Sequence, residues 1–339
     1  MIDGPFLAIE TSCDETAAAV VAGRRVLASV VASQAELHTP YGGVVPEVAA
    51  RHHLGTVNLV IDRALVDAGL ELSDMRAIAV TQRPGLIGAL LVGVATAKAL
   101  AYATRRPLVC VDHLLGHVCT SWLEPIALDP PFVSLIASGG HTRLDLVREL
   151  ASPEALGQTI DDAAGEALDK GARLLGLGYP GGPALERVAR AGDPRAHAFP
   201  VALGGKRTRD FSFAGVKTAL LYVVREAGEL SDARRADLAA SYQEAIVAPL
   251  AARLLDAARE HRVPAVALGG GVAANGRLRE LVTDGAARMG LRVAVPDAAL
   301  CTDNAAMIGA AAQFTPAVPW PEFLALDAMP TAPPGGIAA

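Results

Sequence analysis

The chain has 339 residues, enough for two domains or two lobes with sizeable cores, and 52% of them are hydrophobic, which excludes a disordered chain. Only 4% are aromatic, so the apolar mass is Ala, Val and Leu, as in an α/β enzyme built from small aliphatic side chains. A net charge of −6 excludes wrapping of nucleic acid by bulk electrostatics, because neutralising phosphates needs a basic face, so any RNA contact is local or shared.

Residues Phe6 to Glu10, a polar stretch to Thr16 and the apolar run Ala17 to Val21 predict a strand, a tight turn and a second strand. Asp14 and Glu15 at that turn suit metal, ribose or base chemistry better than phosphate contact, and an ordinary β-turn favours Asp as well. Helices are predicted over 44–69 and 86–104, alternating with short apolar strands at Ala77–Thr81 and Leu108–Val111. In Asp112-His113-Leu-Leu-Gly-His117 two imidazoles four residues apart fall on one helix face and can share a metal, although exposed helices also carry such pairs.

The opening pattern returns at Phe132 to Ala137, Ser138-Gly-Gly-His-Thr142 and Arg143 to Val147. Ser12 and Thr16 recur as Ser138 and Thr142 at one common offset, so two halves start with the same hairpin. Gly139 and Gly140 let backbone N–H groups approach an anion closely, and His141 on the same turn fits either a ligand contact or a structural hydrogen bond. Residues 163–191, 214–227 and 231–261 read as helices, the last with Ser231 as N-cap, making about 150–260 a helix-rich insertion. Within it, Lys206, Arg207 and Arg209 beside Phe211 and Phe213 are the best local RNA-contact candidate, a pattern that a solvated loop leading into a strand fits equally.

The strand Ala265–Leu268 runs into Gly269-Gly-Gly271, Asn275 and a helix. A glycine-lined helix N-terminus suits a nucleotide's sugar and phosphate, with Asn275 placed for ribose or base, but the Lys-Ser/Thr ending of a P-loop is missing. A further strand is predicted over Leu291–Val295. Asp303, in Leu300-Cys-Thr-Asp-Asn304 ahead of an apolar helix, is the candidate third metal donor, and also suits a helix-cap region. Cys13, Cys110, Cys119 and Cys301 form no CxxC pair and read as packing residues, while His38, His52, His53, His197 and His261 lack partner spacing and read as surface or hydrogen-bonding residues. With no secretory signature and no uninterrupted apolar stretch of membrane-span length, the expected location is cytoplasmic, without a membrane.

From about Phe6 to Gln313 the ordered motifs resemble the TsaD family of tRNA adenosine threonylcarbamoyltransferases. They are Glu10-Thr-Ser-Cys-Asp-Glu-Thr16, Ser33-Gln-Ala-Glu-Leu-His38, Tyr41-Gly-Gly-Val-Val-Pro-Glu47, Pro84-Gly-Leu-Ile-Gly-Ala-Leu90 and His113-Leu-Leu-Gly-His117. Ser138-Gly-Gly-His-Thr142, Asp161 to Lys170, Tyr179-Pro-Gly-Gly-Pro183, Asp210 to Lys217, Gly269 to Asn275 and Cys301-Thr-Asp-Asn304 continue the series. The resemblance implies an α/β actin, sugar-kinase and Hsp70-like (ASKHA) fold of two related lobes with a central cleft. The lobes are expected at 1–128 and at 129–315, with the insertion inside the second and a tail of unassigned function over 316–339.

It implies one divalent metal, Fe(2+) or Zn(2+), on His113, His117 and Asp303, and a substrate pocket at Ile136, Ala137, Ser138, Gly139, Gly140, Asp169, Gly182 and Asn275. The implied reaction moves threonylcarbamoyl from threonylcarbamoyl-AMP to N6 of adenosine 37 in tRNAs reading codons that begin with A, releasing AMP. Asp14 and Glu15 are the candidates for taking the amine proton. The implied partners are tRNA, a TsaB-like paralogous subunit and a TsaE-like ATPase. Arg83 departs from the family's Gly before Pro84. A small-molecule kinase or ATPase of the same fold is the competing reading, and a metallopeptidase fits less well because Leu114 stands where its Glu base would be.

Overall fold

The computed structural model describes residues 4–203 and 208–331, so Lys206 and Arg207 of the basic segment lie outside the described residues. Among the described residues the strands form two five-stranded sheets. β1 (Phe6–Glu10), β2 (Glu15–Ala22), β3 (Arg25–Ser33), β4 (Ala77–Arg83) and β5 (Leu108–Asp112) order as β3-β2-β1-β4-β5. β6 (Phe132–Ala137), β7 (Thr142–Val147), β8 (Glu154–Gln158), β9 (Ala265–Gly269) and β10 (Arg292–Ala294) order as β10-β9-β6-β7-β8, the same arrangement repeated. In each sheet the central strand pairs antiparallel with its hairpin partner (Phe6 opposite Val21, Phe132 opposite Val147) and parallel with the next strand (Phe6 beside Ala77, Val133 beside Val266). β1 and β6 are buried along their whole length, which explains why they read as continuous apolar runs and not as alternating ones.

The helices are α1 (Ala35–His38), α2 (Pro46–Ala68), α3 (Ile87–Thr104), α4 (His113–Cys119), α5 (Ala164–Leu174), α6 (Gly181–Ala189), α7 (Ala214–Ala227), α8 (Asp232–His261), α9 (Gly276–Met289), α10 (Ala298–Cys301) and α11 (Ala305–Ala312). The chain divides into two compact units. One comprises Met1–Pro130, Arg148–Pro153 and Thr302–Ala339, and the other Pro131–Val147 and Glu154–Cys301. The first has a core of β1, β2 and β4 side chains against α2 and α3, and the second packs β6, β7 and β9 against α5, α8 and α9.

Several elements differ from the sequence reading. Residues 302–315, expected with the second half, cluster with the first, because α11 lies on β1 and β2. Gly309 permits that approach, since a Cβ there would fall 2.6 Å from Val21 Cγ2. The helix expected over 163–191 is two, α5 and α6, separated where Gly176 and Gly178 take φ of 72° and 85° and Pro180 follows. The third strand of each sheet, β3 and β8, was not foreseen. Both are sheet-edge strands with mixed exposure, and their short apolar content gives little period-2 signal. α3, interrupted only by Lys98, is long and apolar enough by length and composition to cross a membrane. Ala89, Leu90, Gly93, Val94, Ala97 and Ala101 nevertheless form a buried face of it, and Lys98 Nζ donates to the Leu326 carbonyl at 2.7 Å.

Candidate metal and substrate-binding sites

β5 ends at Asp112, whose Oδ1 accepts the N–H groups of Leu114 (2.9 Å) and Leu115 (3.3 Å), so this carboxylate caps α4 and fixes where the helix starts. His113 and His117 then stand one turn apart, both buried, with ring centroids 4.8 Å apart and planes at 86°. Asp303 arrives from the far end of the chain. Asn304 caps α11 through Met307 N at 3.0 Å, and Gly116 lets α11 lie close, a Cβ there reaching Ile308 Cδ1 at 3.0 Å. Asp303 Oδ1 consequently sits 3.5 Å from His113 Nε2 and 3.3 Å from His117 Nε2, and the three ligand atoms lie within 4.8 Å of one another.

The residues fit a metal. Both ring nitrogens of His117 are buried and make no hydrogen bond, Nε2 standing near Asp303 but off hydrogen-bond geometry, a costly state that a cation at Nε2 relieves. Two imidazoles and a carboxylate suit zinc or ferrous iron. His113 Nδ1 lies 3.1 Å from Glu10 Oε2 and 3.2 Å from Ser12 Oγ, and Glu10 in turn accepts from Ser12 N and Thr81 Oγ1. A carboxylate behind a ligating imidazole orients the ring and raises its basicity. Glu10 was not singled out from sequence, yet a carboxylate ending a wholly apolar buried strand was the available signal.

In the metal-free protein, burial opposes charge on His113, but the Asp303 and Glu10 carboxylates outweigh it and hold its pKa well above the ordinary value. Burial lowers His117, while the two histidines hold Asp303 well below the usual carboxylate range against its burial. Burial, then the Asp14 and Asp303 carboxylates, push Glu15 up to about 9. Of the two acids at the turn, Glu15 is thus the one whose ionisation its surroundings oppose.

The second unit carries the glycine turn. Ser138 N donates to His141 O (2.8 Å), and His141 N to Ser138 Oγ (3.1 Å), leaving Gly139 and Gly140 exposed with open space where side chains would be. Gly165 N donates to Ser138 O at 3.0 Å, and a Cβ at Gly165 would fall 2.6 Å from that oxygen. The first unit repeats the device with Leu86 N on Ser12 O at 2.8 Å and Gly85 in the crowded position. Ile136 pairs with Gly269, and Gly270, at φ 84°, passes Ala137 so closely that a Cβ would lie 2.4 Å from its carbonyl oxygen. Asp169 Oδ1 accepts Gly182 N at 2.9 Å.

The helix expected after the three glycines does follow them, but through an intervening turn. Gly271–Ala274 is a 3-10 turn, and α9 starts after Asn275, whose Oδ1 caps it through Leu278 N (3.0 Å) and whose Nδ2 donates to Gln243 Oε1 (2.9 Å). A cavity of about 380 Å³ lies alongside, lined by Glu186, Gln243, Glu244, Gly276 and Arg277 among others. The described part of the basic segment offers no aromatic surface to RNA. Phe211 and Phe213 are buried in the core, and Arg209 is paired with Glu260.

Two solved proteins share this architecture. HypF of T. kodakarensis superposes with a TM-score of 0.62 at 17% identity over 92% of this chain and 47% of that one. The (R)-2-hydroxyglutaryl-CoA dehydratase component A of Acidaminococcus fermentans gives 0.51 at 15% over 91% and 96%. At that identity they show the fold alone, and the fold is ASKHA. Within that class, the family model described as "TsaD: tRNA N6-adenosine threonylcarbamoyltransferase" matches residues 25–310. Proteins named tRNA N6-adenosine threonylcarbamoyltransferase are 52% identical over 313 residues in Symbiobacterium thermophilum (92% of each chain) and 51% over 311 in Moorella thermoacetica (91% of each). The chain belongs to the TsaD family. It is accordingly a transferase that modifies N6 of a tRNA adenosine, and the kinase reading is not favoured.

Proposed function

We propose that this chain takes threonylcarbamoyl from threonylcarbamoyl-AMP, delivers it to N6 of adenosine 37 in tRNAs reading codons that begin with A, and releases AMP, using one Fe(2+) or Zn(2+) on His113, His117 and Asp303. The observation that carries the metal role is the buried His117 ring with both nitrogens unbonded beside Asp303 and His113. A divalent cation there supplies Lewis acidity, which makes a carbamoyl carbon more electrophilic toward a weakly nucleophilic amine.

The chain's own groups account for the rest. Glu10 accepts the His113 Nδ1 proton and so keeps Nε2 turned toward Asp303. In the transfer a C–N bond forms, the bond from the carbamoyl carbon to the phosphate oxygen breaks, and one amine proton must leave. Asp14, on the turn that also carries Ser12, is the first acceptor proposed for it, with Glu15, whose ionisation burial and the Asp14 and Asp303 carboxylates oppose, as the second. The open backbone at Gly139 and Gly140 suits the AMP phosphate, while Ile136, Ala137, Ser138, Asp169, Gly182 and Asn275 form the proposed remainder of the substrate site. An unpaired anticodon-loop adenosine needs little unstacking to react.

A TsaB-like subunit and a TsaE-like ATPase are the proposed protein partners, and the cytoplasm the proposed location. Exposed Leu54, Leu59 and Val66 on α2 with Ile87 and Leu91 on α3 offer apolar area of the kind a protein partner covers. The test is transfer of labelled threonine into unmodified tRNA with threonylcarbamoyl-AMP and both partners. Label in tRNA with wild type and none with His113→Ala/His117→Ala is the expected result. Equal labelling by the two would refute the metal role.

A further inference from the structure

His53 belongs to a helix whose sequence gave it no assigned role, and the structure puts its ring under the Ser12–Glu15 turn. It lies near the start of α2, fully buried, with Nδ1 2.8 Å from Thr16 Oγ1 and Nε2 2.9 Å from the Cys13 carbonyl oxygen. A carbonyl can only accept, so Nε2 carries the proton; Nδ1 is then bare and accepts from the Thr16 hydroxyl. One neutral imidazole thus bonds both ends of the segment Cys13–Thr16, with Asp14 and Glu15 between them. Burial lowers the His53 pKa, in keeping with the neutral ring. Gln34 completes the clamp. Its N–H donates to Asp14 O at 3.0 Å, and its Nε2 lies 3.4 Å from each nitrogen of His53.

The same turn reaches the metal group from its other side, where Ser12 Oγ is 3.2 Å from His113 Nδ1 and Ser12 N donates to Glu10. The turn has no backbone ladder of its own between Cys13 and Asp14, because β1 ends at Glu10 and β2 begins at Glu15. Two backbone bonds from neighbouring segments, Gln34 N to Asp14 O and Leu86 N to Ser12 O, flank it, and side chains supply the rest of its support, His53 contributing two of those bonds.

We propose that His53 is a positioning residue of the transfer reaction, fixing the acidic turn so that Asp14 and Glu15 are held toward the reacting groups. The inference rests on the proposed role of that turn in the chemistry. A turn held by a buried ring controls the rate of the chemical step more than ground-state binding, because a displacement of about 1 Å can cost ~100-fold in rate.

The experiment measures single-turnover transfer to tRNA, the Kd for threonylcarbamoyl-AMP and zinc content for wild type, His53→Leu and His53→Gln in the full complex. His53→Leu is expected to slow transfer by ~10- to 100-fold with little change in Kd or zinc content. His53→Gln, which keeps one donor and one acceptor, is expected to recover most of the rate. A wild-type rate for His53→Leu overturns the inference, as does a parallel fall of rate, affinity and zinc content. Should His53→Leu not fold, Thr16→Val removes one of the two bonds, and a wild-type rate there overturns it equally. Asp14→Asn and Glu15→Gln separate the layers of the argument. If both transfer at full rate, the role of the turn itself falls; if either is slow while His53→Leu is not, only the inference about His53 falls.

Discussion

Glu10→Gln tests the support behind the metal group. Glu10 is wholly buried, and its partners are the Ser12 N–H, the Thr81 hydroxyl and His113 Nδ1, all of which can donate to it. A glutamine of the same shape must turn its NH2 toward at least one of these donors, and it removes the charge that favours a basic His113. Losing such a partner behind a ligating histidine costs ~10- to 100-fold in metal affinity, or about 1.4–2.7 kcal/mol. The deficit should depend on pH. Glu10 and Asp303 raise the His113 pKa, so in wild type the metal must displace a proton from Nε2, and its affinity climbs as pH rises through that raised pKa. In Glu10→Gln the histidine loses its proton at lower pH and less competition remains. The two proteins should therefore differ least in acid and most above neutrality. Zinc competition against a chromophoric chelator from about pH 6 to about pH 8 measures this. Affinities within twofold at the alkaline end would show that Glu10 does not support the site.

His117→Ala removes a ring that makes no hydrogen bond, so bound metal should fall to background while circular dichroism and thermal unfolding change little; retained stoichiometric metal would contradict the assignment. Gly165→Ala places a Cβ 2.6 Å from Ser138 O, and the turn should shift at a cost of about 1–3 kcal/mol, read as a lower denaturant midpoint together with weaker AMP binding. Asp162 is held below its ordinary pKa, against its burial, by Lys217 and Lys170, which stand 2.6 Å and 3.1 Å away. That stabilisation is present above the unfolded carboxyl value and is lost as pH falls through the depressed folded one. Stability profiles of wild type and Asp162→Asn should thus converge in acid, and parallel profiles would discount the pairing.

The sequence by itself determined what short-range chemistry controls. Apolar runs flanking polar turns fixed both hairpins, and the recurrence of Ser12 and Thr16 at Ser138 and Thr142 announced the duplication that the two sheets repeat. The four-residue spacing put His113 and His117 on one helix face, and the Ser231 side chain caps α8 at Arg234 N as its residue type suggested. Tertiary structure decided what depends on close approach between distant segments. Asp303 reaches the histidines only because Gly116 and Gly309 let α11 settle against α4 and β2. Glu10 meets His113 because parallel strand pairing brings the ends of β1 and β5 to the same edge through β4. Asn275 turns out to be a helix cap bonded to Gln243, and His53 a buried clamp, because a side chain's partners follow from packing and not from its neighbours in sequence.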